Sequence, residues 1–71
     1  MTPEMRNELR QIATKHGLTL EKATLHRDAV WAGMQGPGPA HLPVVREAWE
    51  ALPGTYTYYD ACCALVRALA E

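Results

Sequence analysis

The residues of this 71-residue chain that could do chemistry are its three histidines, two cysteines and eight acids, and their spacing limits what that chemistry could be. A zinc site needs histidines at i, i+4, or cysteines and acids at set intervals. His16, His26 and His41 are scattered instead, at a helix end, inside a helix and in a proline-rich loop, so no metal and no cofactor is expected. Cys62 and Cys63 are neighbours whose side chains diverge by about 100° on a helix, which does not suit a mutual disulfide. Cys62 belongs to an apolar stripe and Cys63 to its edge, and both read as small hydrophobes filling a core. A nucleophile needs a serine or cysteine beside a base; the chain contains no serine, and nothing places a histidine next to Cys63. Glu47 and Glu50 share the wet face of one helix and read as solvated charges rather than an acid–base pair. Gly36-Pro37-Gly38-Pro39 lacks the run of N–H donors that cradles phosphate. The expectation is a protein that is not an enzyme.

Binding residues are easier to find. Arg27 projects near the centre of an apolar helix face made by Leu20, Ala23, Val30, Trp31 and Met34, where a lone charge would be costly to bury. It must snorkel, stack on Trp31, or meet an acid from another helix or chain. All the aromatic area comes from Trp31, Trp49, Tyr56, Tyr58 and Tyr59, since phenylalanine is absent. Tryptophan and tyrosine carry a polar handle that suits surfaces half buried and half wet. Arg27, Trp31, Leu25, Trp49, Tyr56, Tyr58 and Tyr59 are therefore the candidate partner-binding residues.

The elements that must position these side chains read as four helices. Thr2-Pro3-Glu4 supplies a hydroxyl N-cap, a proline at the first helical position and an acid in the first turn. Met5, Leu9, Ile12 and Ala13 then share one face, and His16-Gly17 closes the helix with a left-handed glycine and Leu18 folding back. Thr19 caps a second helix over about 20–34, with Leu25, Ala29 and Ala32 forming an apolar strip opposite its main face. A link this short makes the first two helices neighbours. The glycine–proline loop at 36–39 breaks the chain, and Pro43 opens a third helix to about 52, ended by Pro53-Gly54. Thr57 with Asp60 resembles a capping box for a last helix over 58–70, leaving Tyr56 in the loop. The first helix covers about 3–16. The expected fold is one all-α domain over 1–71, four short helices in two hairpin-like pairs packed as a compact orthogonal bundle around Leu9, Ile12, Val30, Val45, Trp49, Leu65 and Leu69.

Gln11-Ile12-Ala13-Thr14-Lys15-His16-Gly17-Leu18-Thr19 resembles the first helix and turn of a helix-turn-helix DNA-binding motif, with Ala13 and Gly17 at its small-residue and turn-glycine positions. The resemblance covers nine residues. It implies a transcriptional regulator in which Thr19, Glu21, Lys22 and Thr24 face bases and Arg6, Arg10 and Lys15 face phosphates. The net charge of −1 works against the phosphate attraction that dominates such affinity. Five of the seven bases nevertheless lie at or before Arg27, against three of the eight acids, so the front half alone could face an acidic surface.

Composition narrows the class further. With 48% hydrophobic and 21% charged residues the chain is neither disordered nor membrane-embedded, and no apolar run approaches the roughly 20 residues needed to span a bilayer. The opening MTPEMRNELR lacks the apolar core of a secretory signal, so a cytoplasmic protein is expected. Folding a chain near this size buries only about 60% of the surface its unfolded form exposes. The last helix is apolar around most of its circumference, with Asp60, Arg67 and Glu71 its only wet stripe, and the second has two apolar sides. The reading is a small non-catalytic interaction module, a homodimer that regulates or inhibits a larger protein by docking on it, of the size and kind that phages and mobile elements encode. DNA binding is the alternative.

Overall fold

The computed structural model describes residues 1–34 and 38–71; Gln35, Gly36 and Pro37, within the expected loop, lie outside the described residues. Four helices account for the regular structure: α1 (Pro3–Lys15), α2 (Leu20–Gly33), α3 (Pro43–Ala51) and α4 (Tyr58–Ala70). The fold is all-α.

Local chemistry explains the ends. Thr2 Oγ1 accepts the Met5 N–H at 3.1 Å, and Pro3 occupies the first turn. At the other end of α1, Gly17 adopts φ +70°, the Gly17 N–H reaches the Thr14 carbonyl at 3.1 Å and the Leu18 N–H reaches Ala13 at 2.8 Å. These paired bonds are a Schellman closure, which requires a left-handed residue and so favours glycine. At the start of α4, Asp60 N–H donates to Thr57 Oγ1 at 3.1 Å while Asp60 Oδ2 accepts the Thr57 N–H at 2.9 Å, a complete capping box.

Of the two expected hairpin pairs, α3 and α4 pack together and α1 and α2 do not. α4 touches each of the other three helices, α1 and α3 touch each other, and α2 touches α4 alone. Although only four residues join them, α1 and α2 share no contact. The apolar circumference of α4 has a different consequence from the one expected: it is the central helix, with Tyr58, Ala61, Cys62, Ala64, Leu65, Val66 and Ala68 all buried. A helix that is apolar around most of its circumference is one covered on most sides, and the stripe of Asp60 and Arg67 stays exposed. The surplus apolar surface attributed to α4 is therefore absorbed inside the molecule.

Around α4, Leu9, Ile12, Val45 and Leu65 are buried as expected, while Val30, Trp49 and Leu69 pack against that core from half-buried positions. Ala13, Ala48, Ala61 and Ala68 are fully enclosed, and their small side chains allow helices to approach closely. Two arginines of α1 tie down the end of α4: Arg10 Nε donates to the Ala68 carbonyl at 2.6 Å, and Arg6 pairs with Glu71 at 3.3 Å. Both place positive charge where the helix dipole is negative.

The buried side of α2 is rotated by roughly 60° from the expected face, at 100° per residue. Ala23 is buried, and His26, Val30 and Gly33 follow it on the inner side, while Leu20, Trp31 and Met34 are exposed. Apolar residues ring this helix, so its inner side is chosen by what α4 offers, a tyrosine hydroxyl for His26.

Candidate docking surface

The largest exposed apolar residues cluster on α2. Leu25 is 63% exposed, Trp31 61%, Met34 60% and Leu20 40%. Leu20, Trp31 and Met34 lie along one flank of the helix and Leu25 on the opposite flank with Ala29 and Ala32, the angular spread that 100° per residue dictates. Tyr59 of α4, half-buried, extends the first strip, its ring 5.3 Å from that of Trp31 at a tilt of 44°. Arg27 stands beside this pair with its side chain half-buried, and among the described residues no acid from another helix meets it. Its guanidinium meets Asp28, the next residue on the same helix, with Nη2 3.1 Å from Oδ1. An ion pair this exposed contributes little to stability.

Two expected surface aromatics are consumed by the fold. Tyr58 is 8% exposed and sits at the junction of α2, α3 and α4, so it is a core residue and not a docking one. Trp49 is half-buried: its indole N–H donates to the Tyr56 carbonyl at 2.7 Å, and its ring meets Tyr58 edge-on at 5.9 Å. That bond stitches the end of α3 to the loop before α4. Tyr56 itself is exposed and lies in that loop, away from the strip on α2. Of the seven candidates, Trp31, Arg27 and Tyr59 therefore share one region and Leu25 lies on the other flank of the same helix; Trp49, Tyr56 and Tyr58 lie elsewhere.

An open cleft of about 260 Å³ adjoins the aromatic strip, between the last turn of α2, residues 38–41 and the start of α4. Val30, Met34, Pro39, His41 and Tyr59 line it. Its lining is mostly apolar and suits an apolar side chain. Gly33 makes the crossing possible, because a Cβ there would stand 2.5 Å from the Gly38 Cα.

The groups able to titrate are arranged for structure. Burial, opposed in part by the Leu42 N–H bond, pushes the Tyr58 hydroxyl above its ordinary value. Burial and then the nearby His41 hold His26 below the usual 6.5. Burial pushes the Cys62 thiol up to about 11, so it stays protonated at neutral pH and is a poor nucleophile. Hydrogen bonds from Lys15 and then His16 hold the exposed Glu47 carboxylate below 4.5. Among the described residues no three histidine, cysteine or acidic side chains gather as a metal centre would require.

The residues assigned to nucleic acid are largely occupied elsewhere. Arg6 and Arg10 hold the end of α4, and Lys15 pairs with Glu47 at 2.6 Å. Thr19 is the N-cap of α2, accepting the Lys22 N–H at 3.3 Å. Glu21, Lys22 and Thr24 lie on the first turns of α2, and that helix stands apart from α1 instead of packing on it.

Inspection of composition missed His26 and His41 as structural residues, having weighed them only as ligands. The available signal was Tyr58, a polar aromatic on the apolar stripe of its helix, whose hydroxyl must find partners when buried. No helix among the described residues is long and apolar enough to cross a membrane. No family model, no curated protein and no solved structure matches the chain.

Proposed function

We propose that this chain is a non-catalytic protein-interaction module that self-associates as a homodimer and regulates a larger protein by docking on it through α2. One observation carries the reading. α2 leans on α4 alone and leaves Leu20, Leu25, Trp31 and Met34 at least 40% exposed on a chain of 71 residues. Scattered apolar residues are ordinary on a protein surface, but several on one helix, flanked by an aromatic pair and a cleft, fit an interface core. Trp31 with Arg27 and Tyr59 beside it matches the residue types that anchor such interfaces. A second, separate flank at Leu25 leaves room for two partners on one helix, a second copy and a target.

The DNA-binding alternative draws less support, because three of its phosphate-facing bases are held within the fold and the chain is net acidic. Affinity capture from a native lysate tests the proposal, using the wild type, Trp31→Asp, Leu25→Asp and an Arg67→Glu control on exposed α4 surface. A partner retained by the wild type and the control but lost by either α2 variant is the expected result. Equal retention by all four, or salt-sensitive recovery of duplex DNA instead of protein, would overturn it.

A further inference from the structure

α2 packs on one helical neighbour, α4, through the buried Ala23 and the half-buried Val30, and among the described residues it has one polar tie. That tie runs through Tyr58. Its hydroxyl accepts the Leu42 N–H at 2.8 Å and lies 2.8 Å from His26 Nε2. An amide N–H can only donate, so the hydroxyl still has its own proton to give. His26 can accept it only with Nε2 bare, as a neutral ring protonated on Nδ1. We infer that the chain Leu42–Tyr58–His26 is a latch that fastens α2 to the bundle in the neutral state of His26, and that protonating His26 releases the docking helix.

The surroundings of His26 favour this sign from every side. From α4 come the Tyr58 hydroxyl and the Cys62 thiol, which borders the same internal space. From the segment before α3 comes His41, stacked on the Tyr58 ring at 3.9 Å and 8°. α3 contributes Arg46, whose charge acts on Tyr58, and on α2 itself Lys22 sits one turn earlier. Among the described residues no carboxylate bonds to His26 or His41; Asp28 is engaged by Arg27. An imidazolium at this position gains no acid partner and turns a donor toward an oxygen that already accepts one N–H, stranding the hydroxyl proton. His16 is the contrast, since its Nε2 has a carboxylate partner, Glu47, at 3.1 Å.

The direction of linkage follows. Burial and His41 depress His26 in the folded state below its ordinary 6.5. The unfolded chain then binds the proton more readily, so the latch contributes fully above the ordinary histidine value and is lost as pH falls through the folded one. The regulatory consequence rests on the docking role of α2. The latch itself is measured on the free protein, so the two ideas fail separately.

The test is an NMR titration of the histidine rings of the whole chain between about pH 7.5 and pH 5, with thermal unfolding of the wild type and His26→Gln over the same interval. Glutamine can take the Tyr58 proton through its amide oxygen but does not titrate. The expected result is a His26 ring titrating below the ordinary histidine value, α2 amides including Leu25 shifting with the same midpoint, and a larger loss of thermal stability on acidification in the wild type than in the variant. A His26 that titrates at or above the ordinary value, or α2 signals that ignore it, would overturn the latch. So would equal acid losses in the two proteins. If His26→Gln does not fold, the wild-type titration decides alone.

Discussion

Replacing Tyr58 by phenylalanine isolates one hydroxyl, because the ring, its stacking on His41 and its edge-on contact with Trp49 are kept. Two bonds of 2.8 Å disappear, to Leu42 N–H and to His26. An ordinary hydrogen bond contributes about 1 kcal/mol net, and a buried donor left without a partner costs about 1–3 kcal/mol. Leu42 is only half-buried and can recover part of its loss from water, which puts the expected cost at roughly 1.5–3 kcal/mol. For a domain of this size that corresponds to a fall in melting temperature of roughly 6–24 °C. Circular dichroism melts at neutral pH read it directly, with Tyr59→Phe as the control, expected within about 0.5 kcal/mol of wild type because that tyrosine lies near the surface. A Tyr58→Phe protein that melts within about 2 °C of wild type would refute the claim that this hydroxyl joins α2 to the bundle.

Other perturbations separate local from packing effects. Gly33→Ala should destabilise despite alanine's better helix propensity, because its Cβ would stand 2.5 Å from the Gly38 Cα, and chemical denaturation would record the sign. Cys62 should resist a thiol reagent at neutral pH in the folded protein and react once denaturant is added, since burial holds its thiol near 11; prompt labelling of Cys62 in the native state would contradict its position. Stability should fall as pH drops below the ordinary glutamate value, where Glu47 loses its hold on Lys15 and His16, and Glu47→Gln should flatten that fall.

Much of the local structure was legible because its causes lie within four residues. A threonine before Pro3, a glycine after His16 and the Thr57/Asp60 pair each satisfy orphan backbone groups near at hand, and each reads from a short window. Long-range choices were harder. The broad apolar surface of α4 has two explanations, a helix at the centre or a helix awaiting a partner, and only the placement of the other three helices distinguishes them. α2 was read on the wrong face because apolar residues surround it and the residue that orients it, His26, is polar. Its burial is compensated by a hydroxyl 32 residues away, a pairing that no local pattern announces. The docking candidates sorted by the same rule: Leu25 and Trp31 stay outside, Trp31 with only Tyr59 against its ring, while Tyr58 is claimed by partners on two other segments and Trp49 by the loop that follows its helix.

The central claim is that the outer side of α2 is apolar surface made to be covered by another molecule, first by a second copy. Sedimentation velocity of the wild type and of the Leu25→Asp/Trp31→Asp double variant, from about one to tens of micromolar, tests it most directly. The account predicts a dimer for the wild type and a folded monomer for the variant, which loses exposed side chains and no core. A wild type that sediments as a monomer at the highest of these concentrations, or a variant that dimerises as well as the wild type, would contradict it.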